Sequence, residues 1–78
     1  MPTILREKGY RFFFFSNENQ EPPHSHVQRA EHYAKFWLRP VRLAKNKGFR
    51  RNEITDLGRI VRARKGLLLK AWYGHLGK

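Results

Sequence analysis

Apolar and polar residues alternate with a period of about two through residues 3–44, and from residue 52 onward the period lengthens to about 3.6. The chain therefore reads as strands first and helices last. Thr3-Ile4-Leu5 and the run Tyr10 to Phe15 are β-prone and are joined by Glu7-Lys8-Gly9, where glycine can supply the positive φ of a tight hairpin. Four consecutive phenylalanines cannot share one side of a strand, so one pair faces the core and the other a second apolar surface. Phe13 and Phe15 are assigned to the core, although the inward phase of these strands can also be reversed. Residues 16–23, SNENQEPP, form a polar, proline-closed loop.

A second hairpin is expected from His24-Ser25-His26-Val27-Gln28 and His32 to Leu38, turning around Arg29-Ala30-Glu31. In it Lys35 and Trp37 take one face, and Ala34, Phe36 and Leu38 the other. Pro40 ends that strand or places it at an edge, because proline cannot donate to a ladder. Val41 to Ala44 makes a short fifth strand before a basic turn, Lys45-Asn46-Lys47-Gly48. Asn52 is the expected N-cap of a helix whose stripe is Ile54, Leu57, Ile60 and Val61, with Glu53 and Asp56 suited to its positive end. A second stripe, Leu67, Leu68, Ala71, Trp72 and Leu76, follows a break expected near Gly66, since glycine inside a helix costs up to about 1 kcal/mol. The fold class is α+β: one domain over residues 1–78, with a four- or five-stranded antiparallel meander in 1–44 and two helices in 50–76 packed on one face. Leu57, Val61, Leu68 and Trp72 join the phenylalanines in the core, and an exposed phenylalanine pair would favour a homodimer.

Charge changes this picture. The chain has 78 residues and a formal net charge of +11. Residues 1–31 carry four basic and four acidic side chains, whereas residues 32–78 carry thirteen basic and two acidic. After Asp56 no acid appears, so ion pairs along the helix surface cannot neutralise the field there. A polyanion, and nucleic acid first, is the expected partner; the plainer reading is that the charge keeps a small domain soluble. Lys35 beside Trp37, then Arg39, Arg42, Arg50 and Arg51, can form a strip that tracks phosphates. Arg59, Arg62 and Lys65 recur at spacing three, opposite Leu57 and Val61, and should be exposed together. Trp37 can stack a base, or it can belong to the core.

The chain has no cysteine, which excludes disulfides and cysteine-ligated metal sites. No cofactor is implied. No signal-peptide pattern or long apolar run is present, so a cytoplasmic protein without membrane partners is expected. His24 and His26 are the sharpest chemical feature: two apart on a strand, their rings point the same way from α-carbons roughly 6.5–7 Å apart. They can share a metal or a phosphate, or they can hydrogen-bond backbone groups where the proline loop enters the strand. Serine-nucleophile and glycine-loop templates fail. The surviving enzymatic alternative is metal-independent RNA cleavage, with one of His24 and His26 as base, the other or His32 as acid, and Arg29 or Lys35 stabilising the phosphorane.

MPTILR, YRFFFFSNE, EPPHSHV, AKFWL with PVRLA, Gly48-Phe49 and LLLKAW together resemble a small bacterial family, domain-of-unknown-function family 4160. The resemblance covers most of the chain. It implies a compact αβ domain with a strand meander backed by C-terminal helices, and genes paired with small partners in toxin–antitoxin-like neighbourhoods. It implies an interaction or nucleic-acid role and no established reaction. Ser25 stands where the family is usually apolar, and Arg39 where it is commonly acidic. Ala63, Lys65, Gly66 and Gly74 occupy places where relatives tend to have glutamate. The leading expectation is a nucleic-acid-associated module of toxin–antitoxin type with a small partner protein from the same operon; the alternatives are the ribonuclease and a protein-interaction subunit whose charge is incidental.

Overall fold

The computed structural model describes residues 3–15 and 20–76. Five strands, β1 (Thr3–Glu7), β2 (Tyr10–Phe13), β3 (His24–Arg29), β4 (His32–Leu38) and β5 (Val41–Lys47), form one antiparallel meander in sequence order. Two helices follow, α1 (Arg51–Ala63) and α2 (Lys65–Leu76). The fold is the α+β meander with C-terminal helices that the alternation predicts. Residues 16–19 of the polar loop and the side chain of Leu76 lie outside the described residues.

Tight turns set the register. Lys8 and Gly9 both take positive φ, 53° and 83°, as the favoured two-residue hairpin turn requires. Arg39-Pro40, a cis peptide, makes the two-residue connection between β4 and β5, so Pro40 ends its strand. Gly48 is needed where β5 leaves the sheet: its φ is 100°, and a Cβ there would lie 2.6 Å from His32 Cδ2. Asn46 closes the same bend by accepting from Phe49 N–H at 3.1 Å and donating to its carbonyl at 3.0 Å.

One sheet face is covered by the helices. Phe12 lies opposite Val27, and Val27 opposite Ala34, so with Phe36 and Leu38 they project to Leu57, Ile60, Val61 and Leu68. Burying each of the larger side chains stabilises the fold by roughly 1.5–3 kcal/mol. Phe14 continues this side and packs on Trp72 in a second small cluster. The inward pair is thus Phe12 and Phe14, not Phe13 and Phe15. Both phases satisfy the alternation of a four-phenylalanine run; pairing of Phe13 with His26 fixes the choice. Phe13 is nevertheless buried, under Phe15 and the Arg11 guanidinium, and Phe15 alone of the four is exposed, at 39%.

Two boundaries differ from expectation. β5 runs to Lys47, because Ala44 is the extra residue of a bulge between the Lys35–Lys45 and Phe36–Leu43 pairs, and pairing resumes beyond it. Helix α1 is capped at Arg50 instead of Asn52: the Glu53 carboxylate, at the third helical position, reaches back to accept from Arg50 N–H at 2.8 Å, the returning half of a capping box. The helical break expected near Gly66 is present and centred on Arg64, whose Nε donates to Glu7 at 2.8 Å and ties the junction to β1, while Gly66 itself lies in the first turn of α2. Among the described residues, no helix is long and apolar enough to cross a membrane.

Candidate functional site

The helices leave the other sheet face open toward β5, while at its β3 end Trp72 of α2 reaches round to pack on His24, and cross-strand register determines what stands on this face. One row runs Arg11, Gln28, Tyr33, Lys47; the next runs Phe13, His26, Lys35, Lys45; a third runs His24, Trp37, Arg42. Neighbouring strands lie about 4.8 Å apart, so members of a row touch or nearly touch. The face is aromatic in the middle and cationic along β5.

The two histidines form its floor. His24 is fully buried, and His26 is nearly so. Their rings lie 5.0 Å apart, edge to face. His24 Nδ1 donates to the Pro22 carbonyl at 3.0 Å, the bond to the proline loop that the sequence offers as its structural role. The ring is packed against Trp72 at 4.7 Å and Trp37 at 5.6 Å. His26 Nδ1 is hydrogen-bonded to the Tyr33 hydroxyl at 2.6 Å, with Phe15 against the ring at 4.9 Å.

His32 does not join them. It pairs with Arg29 at the far end of β4 on the helix-covered face, where its ring packs on Phe49. Arg29 is also turned that way: its guanidinium lies 4.3 Å from the Tyr10 ring centroid and pairs with Glu53. The hydrogen bond from Arg50 N–H holds the Glu53 carboxyl below the usual carboxylate range; burial opposes this, and the charges of Arg29, His32 and Arg50 reinforce it. Among the described residues, no group of three histidine, cysteine or carboxylate side chains is placed to hold a metal.

The basic residues singled out in the sequence divide between two surfaces. Lys35 and Trp37 share the open face, with Nζ 4.5 Å from the indole centroid and donating to Glu21 at 2.7 Å. Arg42 stands beside Trp37. Arg59 and Arg62 lie on α1 across a groove from β5, with Arg42 on its opposite rim. Arg39 is in the β4–β5 turn and donates to the Tyr73 hydroxyl at 2.7 Å. Arg50 and Arg51 mark the start of α1, and Lys65 the start of α2.

Carboxylates occupy particular cations: Glu7 takes Arg64, Glu21 takes Lys35, Glu53 takes Arg29, and Asp56 lies 3.6 Å from Arg59. Among the described residues, no carboxylate pairs with Arg42, Lys45 or Lys47. Lys45 and Lys47 escape the sequence reading because the bulge at Ala44 breaks the alternation that would have continued β5 through them. Arg11 and Tyr33 were equally legible, since their two-residue spacing from Phe13 and Lys35 puts them on the same face.

No match is found among curated proteins or among solved structures. A family model described as Domain of unknown function (DUF4160) matches residues 9–73, a span that takes in the open face, both histidines, β5 and α1. The chain belongs to that family.

Proposed function

We propose that the protein is a nucleic-acid-binding module of toxin–antitoxin type, acting in the cytoplasm, and that it holds a single strand across the open face of its sheet. The observation that carries this reading is the line of Arg42, Lys45 and Lys47 on β5, free of carboxylate partners among the described residues and flanked by half-buried Trp37 and Tyr33. Lys45 and Lys47 are two apart, so both ammonium groups leave the same side of the strand. Aromatic rings beside a cationic track suit a single strand, because every base has a π-face to stack while the phosphates follow the charges. Lys35, committed to Glu21 and to the indole of Trp37, steadies the ring more than it serves a phosphate. The burial and hydrogen bonds of His24 and His26 favour binding over cleavage. The toxin–antitoxin setting rests on the family resemblance, and a small protein from the same operon that co-purifies with the chain would support it.

The test is anisotropy of a labelled single-stranded oligonucleotide titrated at several salt concentrations. Affinity should fall with salt by about 0.7 logarithmic units per decade for each phosphate neutralised, and the triple change Arg42→Gln, Lys45→Gln, Lys47→Gln should flatten the slope by about 2. Trp37→Leu should weaken binding by about 1–3 kcal/mol, the worth of one stacked base, and leave the slope intact. Salt-insensitive binding, or no binding at low salt, would refute the reading.

A further inference from the structure

β5 is an edge strand, with one side of its backbone paired to β4 and the other facing outward. Beside it runs a groove of about 330 Å³ between β5 and α1. Its floor is apolar: Phe36, Val41 and Ile54, with Leu43 at the lip, 43% exposed despite pointing to the helix side. Its rims are cationic, with Arg42 on the strand and Arg59 and Arg62 on the helix. Gly58 keeps the helical wall low: a Cβ there would lie 3.2 Å from Arg62 Nη1, so the glycine lets that guanidinium fold back along the groove.

We infer that this groove and the β5 edge dock an extended acidic segment of another protein, added as a short strand with alternate apolar residues on Leu43 and the intervening carboxylates turned to Arg42, in the positive field of Arg59 and Arg62 across the groove. Three observations select this occupant. A second copy of the chain is disfavoured, because edge-to-edge pairing of two β5 strands would bring Arg42, Lys45 and Lys47 against their own counterparts. Nucleic acid would satisfy the arginines and leave Leu43 and the strand's outward N–H and C=O groups uncovered. An acidic peptide with alternating apolar residues meets all three needs, and the bulge at Ala44 limits the added ladder to one side of it, with Val41–Leu43 next to the groove. The basic residues on the edge deter indiscriminate pairing, as charged edges do, and an acidic strand reverses that sign.

The inference is independent of the nucleic-acid reading, and the experiment separates them. The probe is a fluorescein-labelled peptide alternating glutamate with leucine and valine; one control carries lysine for each glutamate, and another is polyglutamate. The alternating acidic peptide should bind saturably and each control more weakly by about tenfold, the combined effect of several exposed charge contacts or of the lost apolar anchor. Backbone amide shifts in the wild-type protein should map to β5 and α1. Leu43→Gln, a half-exposed site where folding should survive, should abolish peptide binding and keep oligonucleotide affinity; Trp37→Leu should do the reverse. Equal binding of the lysine peptide, no binding of the acidic one, no loss with Leu43→Gln, or shifts confined to the surface around Trp37 and His26 would overturn the inference.

Discussion

Replacing His24 by alanine should leave the protein largely unfolded at room temperature. The ring has no solvent exposure, and its Nδ1 donates to the Pro22 carbonyl at 3.0 Å. Losing this part-buried hydrogen bond costs about 0.5–1.5 kcal/mol. Deleting a ring packed at 4.7 Å from Trp72 and 5.0 Å from His26 adds a cavity, and large-to-small changes in cores cost about 2–5 kcal/mol. The two contributions overlap, so about 3–5 kcal/mol is the expected total. A single core in a domain this small rarely supplies more than about 3–5 kcal/mol, so nothing remains in reserve. His24→Gln, whose amide can still donate near the proline loop, should lose about 1–2 kcal/mol and stay folded. Urea unfolding followed by tryptophan fluorescence measures both, since Trp37 and Trp72 flank the ring. An alanine variant that unfolds at the wild-type urea midpoint would refute the packing argument, and if it had also lost RNA cleavage the ring would have to be assigned to catalysis.

The depressed carboxyl of Glu53 makes stability depend on acid. Its contribution is complete above the carboxylate pKa of the unfolded chain and disappears as pH falls through the lower folded value, so Glu53→Gln should flatten the acid limb of a stability–pH profile and leave wild type the more stable at neutral pH; parallel profiles would show that Glu53 does not carry the linkage. Gly66 lies in α2 with ordinary helical φ and open space where a Cβ would go, so Gly66→Ala should raise stability by about 0.5–1 kcal/mol, read as a higher melting temperature.

Where alternation was unbroken, sequence was a sufficient guide. Ala34, Phe36 and Leu38 face the helices and Lys35 and Trp37 do not, because β4 sits inside the sheet and its pattern has one phase. The phenylalanine run has two equivalent phases, and only its partner strand chooses between them. The two-residue spacing put His24 and His26 on one face as expected. The burial of His24 depends on Trp72, from a helix much later in the chain, and no local pattern encodes that contact. At the start of α1 the difference is local: Asn52 is the better cap by residue type, and the Arg50–Glu53 pair three residues apart starts the helix earlier.

Charge was legible in amount and not in arrangement. The excess in the second half of the chain suggests one basic strip, but folding sends Lys35 and Trp37 to the open face and Arg59 and Arg62 to the helical layer, and the carboxylates then remove particular cations from each. Lys35, Arg29, Arg59 and Arg64 meet acids contributed by distant or neighbouring segments, while β5 meets none among the described residues. Arg42 is the residue at which the two surfaces join, beside Trp37 on one side and on the rim of the groove on the other. If both proposed ligands bind as argued, they share that guanidinium and should compete. Arg42→Gln should then weaken oligonucleotide and acidic peptide together, whereas Lys47→Gln, opposite Tyr33 and away from the groove, should weaken the oligonucleotide alone. Simultaneous saturation of one protein molecule by both probes would show that the surfaces are separate and that the charge of β5 is not a shared resource.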